Sequence, residues 1–257
     1  MLELFWAEFR RSWIEFIRYP MEAVGGIFVT TTIFYGLFLG AKYVAGASFT
    51  LGDRLEAIVI GYVLWTLVLF VINNTAIGLQ HEAQTGTLEQ IFLSPFGATT
   101  VFLVRAIASL ILQLLIEVII LAIIIVLTGS KIEFPLILFL PLLTVLMGAY
   151  GLAFIMGALA LLFKRVQQLL GLFQFTLLFL LATPTETLPK FGQFLFNLLP
   201  MTLGANLLRD LMARSESINW LELSSALVNG LIYLAMGLLI FRWGEREVKK
   251  RGNLSGY

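Results

Sequence analysis

Long apolar stretches without a charged residue constrain this sequence more than any other feature. Five such windows cover residues 23–41, 57–80, 134–163, 166–185 and 223–241, and a sixth, 106–130, is interrupted only by Glu117. An α-helix needs roughly 20 mostly apolar residues to cross the hydrocarbon layer of a bilayer. We therefore expect an all-α integral membrane protein with six transmembrane helices in a single domain, residues 1–257.

The composition excludes several other classes of protein. Hydrophobic residues make up 59% of the 257 positions and charged residues only 13%, which is too apolar for a soluble fold. The net charge of +1 does not indicate a nucleic-acid partner. The chain has no Cys, which excludes disulfides and thiolate chemistry, and its one His, His81, cannot form a histidine cluster. We expect no metal site and no cofactor bound by this chain.

The first 18 residues have the pattern of an amphipathic helix that lies on the membrane surface. At about 100° per residue, the large apolar side chains share one arc and the charged side chains fall outside it. The apolar residues are Leu2, Phe5, Trp6, Phe9, Trp13, Phe16 and Ile17. The alternative is a buried helix of a soluble domain, but the chain offers no soluble core to receive it. We expect an interface helix over residues 1–18.

The distribution of basic residues predicts the orientation of the six spans. With both termini in the cytoplasm, eleven of the seventeen Lys and Arg residues lie on the cytoplasmic side, as the positive-inside rule requires. A seventh span through the apolar stretch 191–208 would place the basic C-terminal tail outside. Asn197, Pro200, Gly204 and Asn206 also interrupt that stretch. We therefore interpret residues 186–222 as an external segment of re-entrant or interfacial helices before the last span.

The connection between the second and third spans, residues 80–95, has the parts of a short independent helix. In chain order these are a turn residue, a capping box and a terminating proline, namely Gly86, Thr87 with Gln90, and Pro95. Leu88, Ile91 and Phe92 then share one face of the helix. Such a face predicts either docking of a partner protein or contact with lipid headgroups, and the residues alone do not distinguish the two.

This connection resembles the signature of ABC transporter permeases of the type 2 export family. The similar residues are Glu82, then Gly86-Thr87-Leu88-Glu89-Gln90, then Leu93-Ser94-Pro95. The resemblance covers the whole chain, because Asn197-Leu198-Leu199-Pro200, Ala205 and Leu208-Arg209 are similar to the family's pattern before the final helix. It implies that residues 85–94 form or adjoin the coupling helix that fits a groove on an ATPase. The coupling residues are then Glu82, Gly86, Thr87, Leu88, Glu89, Ile91 and Phe92.

The resemblance also implies partners. The sequence contains no Gly-Lys dipeptide, so the phosphate-binding loop of an ATPase is absent and no catalytic residue is expected. A permease of this family works with a separate ABC ATPase subunit, which binds ATP and Mg, and with a second permease, here expected to be an identical copy. The implied function is export of a hydrophobic or amphipathic substrate, drug-like or lipid-like, across the lipid bilayer of a prokaryotic plasma membrane.

Polar residues inside the spans are further candidates for function. Arg105, Ser109, Gln113 and Glu117 recur every four residues and form one stripe, with Glu117 about 18 Å from Arg105 along the helix axis. A carboxyl at that depth faces protein or water, so we expect Gln113 and Glu117 to be functional or to fix helix packing.

Residues of the second and fifth spans are candidates for the wall of a substrate cavity. They are Trp65, Phe70, Asn73, Asn74, Phe173, Phe175 and Phe179. The resemblance points to these two spans, while lipid-facing packing of the rings and hydrogen bonds of the Asn side chains across helices are the alternatives. Gly36 and Gly40 form a GxxxG pair, which predicts close helix packing within the subunit or at a dimer interface.

Two other classes of function are weaker alternatives. An ion-coupled secondary transporter would use Glu117, but it would need partners for that carboxylate and usually shows repeat symmetry, which we do not find. An intramembrane enzyme would need a catalytic constellation, and the spans contain no Cys and no plausible pair of carboxylates. We therefore take the ABC exporter as the expected function.

Overall fold

The computed structural model describes residues 2–45, 53–163, 166–182 and 189–251. Every secondary-structure element among these residues is a helix. They form ten α-helices and one short 3-10 helix, with no strand among them. The helices are α1 (Leu2–Arg18), α2 (Pro20–Ala45), α3 (Asp53–Gln84), α4 (Leu88–Phe92), α5 (Ala98–Thr128), α6 (Phe139–Phe163), α7 (Gln167–Ala182), α8 (Lys190–Leu198), α9 (Thr202–Ala213) and α10 (Trp220–Arg251). The 3-10 helix, Leu136–Leu138, leads into α6. The expectation of an all-α fold is confirmed.

Among the described residues, five helices are long and apolar enough to cross a membrane. They are Pro20–Tyr43, Leu55–Gln84, Ala98–Thr128, Leu136–Phe163 and Trp220–Lys250. The remaining expected span, residues 166–185, corresponds to α7, which has 16 residues and is about 24 Å long. Residues 183–185 of that span lie outside the described residues, as do the basic residues 164 and 165. The count of six spans therefore stays a prediction.

The helices run between two ends of one bundle. We call the end at which α3 stops and α5 starts the α4 end. The N-terminal helix α1 lies there, because Glu8 pairs with Arg105 at the start of α5. The C-terminal part of α10 lies there too, because Lys249 sits over the ring of Phe92 in α4. Helices α8 and α9 lie at the opposite end, where Arg209 of α9 donates a hydrogen bond to the carbonyl near the end of α7.

A seam of small residues brings α6 and α10 into close parallel contact. The facing residues are Thr144, Gly151 and Ala158 of α6 and Gly230, Gly237 and Gly244 of α10. Each set repeats every seven residues, a spacing that keeps one side of each helix in contact with its neighbour. A Cβ atom at Gly237 would meet the backbone of Gly151, so that position has no room for a side chain.

The GxxxG pair of α2 makes no comparable contact. A Cβ atom at Gly36 or Gly40 would meet no atom within 4 Å. The expected packing of this pair within the subunit is therefore not seen in the described part of the chain. Contact of this face with a second copy stays a prediction.

The expected external segment contains two short helices, α8 and α9, joined at Pro200. Neighbouring groups satisfy the carbonyls at the end of α8. The Thr202 hydroxyl donates to the carbonyl of Phe196 at 2.7 Å, and the Tyr233 hydroxyl of α10 donates to the carbonyl of Leu198 at 3.1 Å. Irregular backbone at membrane depth needs such partners. Residues 186–188 of the segment lie outside the described residues, and its side of the membrane stays a prediction.

Candidate functional site

The turn between α3 and α4 is built around the carboxylate of Glu82. Gly86 has φ 76°, a left-handed conformation that glycine adopts readily, and the chain reverses there. The next residue, Thr87, donates its hydroxyl to the Glu82 carboxylate, and its backbone N–H donates to the Glu82 carbonyl at 3.1 Å. The hydrogen bonds of this turn thus tie Thr87 back to α3, in place of the expected capping box with Gln90.

Arg105 joins this turn to the N-terminal helix. Its Nη1 atom lies 2.6 Å from Glu82 Oε1, and its Nε atom lies 3.0 Å from Glu8 Oε2. Arg11 of α1 adds a second cation at 3.6 Å from Glu82 Oε1. The side chains of Arg105, Glu8 and Glu82 are only 20%, 11% and 9% exposed. We call Glu8, Arg11, Glu82 and Arg105 the charge cluster; it holds α1, α3 and α5 together beside α4.

The apolar face of α4 is turned toward the protein's own core. Leu88 is 3% exposed, and Ile91 and Phe92 are half-buried against the same core. The core of the chain thus covers Leu88 and part of Ile91 and Phe92. That these three residues enter a groove on an ATPase stays a prediction. The side chain of Glu89 lies outside the described residues.

The exposed apolar side chains next to α4 belong to the residues that follow it, while Gln90 is an exposed polar residue of α4 itself. Leu93 is 85% exposed and Phe96 is 43% exposed, with exposed Pro95 between them. We call Leu93, Pro95 and Phe96 the α4 tip. Apolar side chains grouped at the end of a rigidly held turn are typical of a contact surface.

The last helix also holds α4 in place. The Lys249 ammonium lies 4.7 Å from the centre of the Phe92 ring and 2.6 Å from Glu245 Oε1. The hydroxyl of Thr99, in the first turn of α5, lies 3.4 Å from Glu245 Oε2. These contacts link α4, α5 and α10.

The polar stripe of α5 faces α3. Asn74 donates to the Ser109 hydroxyl at 2.9 Å. Farther along the helices, Glu117 is 5% exposed, and both of its oxygens accept hydrogen bonds. Gln113 donates to one of these oxygens at 2.9 Å, and the Thr66 hydroxyl donates to the other at 3.1 Å. The side chains of the stripe thus have partners on α1, on α3 or within α5.

Two adjoining cavities separate α1 and α2 from α3 and α5. The larger has a volume of about 730 Å³ and the smaller about 330 Å³. Both are lined by Glu15, Phe16, Phe70, Gln113 and Ile116. The smaller cavity reaches the charge cluster, and the larger extends to Glu117, so the two cavities lie one after the other along the polar stripe.

The structure brings together only part of the predicted cavity wall. Trp65 and Phe70 line the larger cavity and Asn74 lines the smaller, whereas half-buried Asn73 lines neither. The predicted rings of α7 lie elsewhere: Phe173 packs against the core, and Phe175 and Phe179 are 66% and 70% exposed. The indole N–H of Trp65 donates a hydrogen bond to the carbonyl of Gln174 in α7 at 3.0 Å. Tyr62, Glu15 and Glu22 line the larger cavity and were not predicted.

The helices and the site define a multi-pass membrane protein that holds a short helix, α4, between the ends of its longer helices. Comparison with known families identifies which family of membrane proteins the chain belongs to. The model of the ABC-2 type transporter family matches residues 3–213, which extend from α1 to the end of α9. The chain belongs to the ABC-2 type transporter family and is a membrane transporter component. No curated protein matches the sequence. Membrane domains of this family generally lack an ATPase site and work with an ABC ATPase.

Proposed function

We propose that this chain is the permease subunit of an ATP-driven exporter, and that it docks its ATPase through the α4 tip. The ATPase is a separate subunit that binds ATP and Mg, and the substrate is hydrophobic or amphipathic, drug-like or lipid-like. The observation that carries the proposal is that α4 is packed against the bundle on one face and exposed at its tip. Its inner face is fixed to the helices that border the cavities, while its tip is apolar and exposed.

The contacts of α4 form two routes by which a displacement would reach the bundle. One runs from Thr87 through Glu82 and Arg105 to Glu8, and so connects α4 with α1, α3 and α5. The other runs from Phe92 through Lys249 to α10. Because α1, α3 and α5 also border both cavities, a push on the tip would move the cavity walls together. In this proposal Glu82 and Thr87 transmit motion rather than touch the ATPase.

The assembly contains two permease copies and two ATPase subunits in a prokaryotic plasma membrane. We place the α4 end in the cytoplasm, because that end carries the basic residues of α1 and α10 and must face ATP. Both termini then lie in the cytoplasm, and α7 is the fifth of six spans, extended by residues beyond its described end. The exposed apolar faces of α2 and α7 contact lipid or the second copy.

Pull-down of the partner ABC ATPase tests the docking surface. Leu93→Asp places a charge that is solvated in the free permease but desolvated in the joint, so recovery of the ATPase should fall strongly. Leu136→Asp is the matched control, because Leu136 is 87% exposed at the opposite end of the bundle. Ile91→Asp should instead lower the yield of folded permease. Equal recovery with wild type and Leu93→Asp would exclude the tip as the docking surface.

A further inference from the structure

The charged side chains that line the larger cavity are all acidic. Glu15, Glu22 and Glu117 line it, and its described lining contains no Lys or Arg. Arg105, which lines the smaller cavity, is already paired with Glu8 and Glu82. The cavity is therefore electrically complementary to a cation.

Glu117 is buried and oriented by two hydrogen bonds. The residue is 5% exposed, and each carboxylate oxygen accepts a hydrogen bond from a neutral donor, Gln113 or Thr66. Burial removes most of the hydration that an unpaired carboxylate needs, and neither donor supplies a positive charge. A cation in the cavity would supply the missing charge partner.

Aromatic side chains make up much of the remaining wall. Phe16, Tyr19, Tyr62, Trp65 and Phe70 line the cavity. The Tyr62 hydroxyl donates to the carbonyl of Thr30 at 2.8 Å, and the Trp65 N–H is used by the carbonyl of Gln174. Because these polar atoms already make hydrogen bonds within the protein, the two rings present their apolar faces to the cavity. Such faces attract both apolar groups and cations.

The size of the cavity matches a small organic ligand. Its volume of about 730 Å³ lies within the range of roughly 300–1,000 Å³ found for ligand sites. Gly26 lines the α2 side, and a Cβ atom there would meet no atom within 4 Å, so the wall at this point is open space.

We propose that the larger cavity binds a lipophilic monovalent cation, with Glu117 as its counter-charge and the rings of Tyr62 and Trp65 against its apolar body. The proposal rests on the proposed export function and narrows the substrate class to cationic amphipathic molecules. The proposed site lies within one subunit, with α1 and α2 on one side and α3 and α5 on the other.

Binding of a matched pair of ions to the permease tests this site. The full-length chain is placed in nanodiscs of zwitterionic phosphatidylcholine, without the ATPase, and titrated with radiolabelled tetraphenylphosphonium. Tetraphenylborate, an anion of nearly the same shape, serves as competitor. Because no ATPase is present, the result does not depend on whether the docking proposal holds.

We expect saturable binding of tetraphenylphosphonium and much weaker competition by tetraphenylborate. Glu117→Gln should weaken cation binding by about tenfold or more, since it removes a buried charge from a charge pair. Glu133→Gln is the control, because Glu133 is exposed near the opposite end of the bundle and should leave the affinity unchanged. Gly26→Phe should fill the cavity and weaken binding of both ions.

Three results would overturn the proposal. The first is no saturable binding of the cation, and the second is equal binding of the two ions. The third is an affinity that Glu117→Gln leaves unchanged. If Glu117→Gln fails to fold, wild-type affinity in folded Gly26→Phe would overturn it instead.

Discussion

Replacing Arg105 by Gln should destabilise the protein by about 3 kcal/mol, near the lower end of the range for removing one partner from a buried ion pair. Arg105 lies 2.6 Å from Glu82 and 3.0 Å from Glu8, and these carboxylates are only 9% and 11% exposed. Gln cannot neutralise either of them. Arg11 remains 3.6 Å from Glu82 but is half exposed, so it compensates only in part.

Thermal unfolding in detergent, followed by intrinsic fluorescence, measures this effect. A loss of about 3 kcal/mol corresponds to a fall of roughly 6–12 °C in Tm for a chain of this size. Lys190→Gln is the control, because Lys190 is exposed at the start of α8, and a charge at such a surface position should contribute only about 0–1 kcal/mol.

A variant that also carries Glu8→Gln and Glu82→Gln separates charge from packing. If uncompensated carboxylates cause the loss, removing them should make the triple variant more stable than Arg105→Gln alone. The reasoning would be refuted if Arg105→Gln unfolded within about 2 °C of wild type. It would also be refuted if the loss of stability in the triple variant equalled the sum of the losses in the three single variants.

Two further predictions concern packing and topology. Gly237→Ala should cost about 1–3 kcal/mol, because its Cβ would overpack against Gly151. Gly171→Ala, where a Cβ meets nothing within 4 Å, should be neutral or stabilising by thermal unfolding, and equal losses would contradict the seam. Because the chain has no Cys, Lys190→Cys and Arg214→Cys introduce single thiols, and both should react with an impermeant thiol reagent from outside the cell. Labelling of only one would contradict six spans.

The sequence predicted the elements of the fold better than their contacts. The apolar windows located the long helices, and the amphipathic arc located α1, because both depend on residues close in the chain. The partners of Arg105 were not predicted, because Glu8 lies 97 residues away along the chain. The sequence around Glu8 and Glu82 contains no pattern that indicates pairing with Arg105. The spacing of seven between Gly230, Gly237 and Gly244 was a readable signal for close packing, but it did not identify α6 as the neighbour.

The orientation of short elements could not be predicted for a physical reason. Periodicity shows that Leu88, Ile91 and Phe92 share a face, but it is the same whether that face is covered by the protein's own core or by a partner. The structure shows the core covering Leu88. The rings of α7 present the same problem, because Phe175 and Phe179 suit a cavity and a lipid surface equally well by composition.

Photo-crosslinking from the α4 tip tests the central claim most directly. Benzoylphenylalanine is placed at Leu93, or at Leu136 as the control, in the chain expressed with its partner ABC ATPase. Irradiation should give a covalent permease–ATPase adduct from position 93 and none from position 136. An ATPase that copurifies with the permease but forms no adduct from position 93, or forms equal adducts from both positions, would contradict docking through the tip.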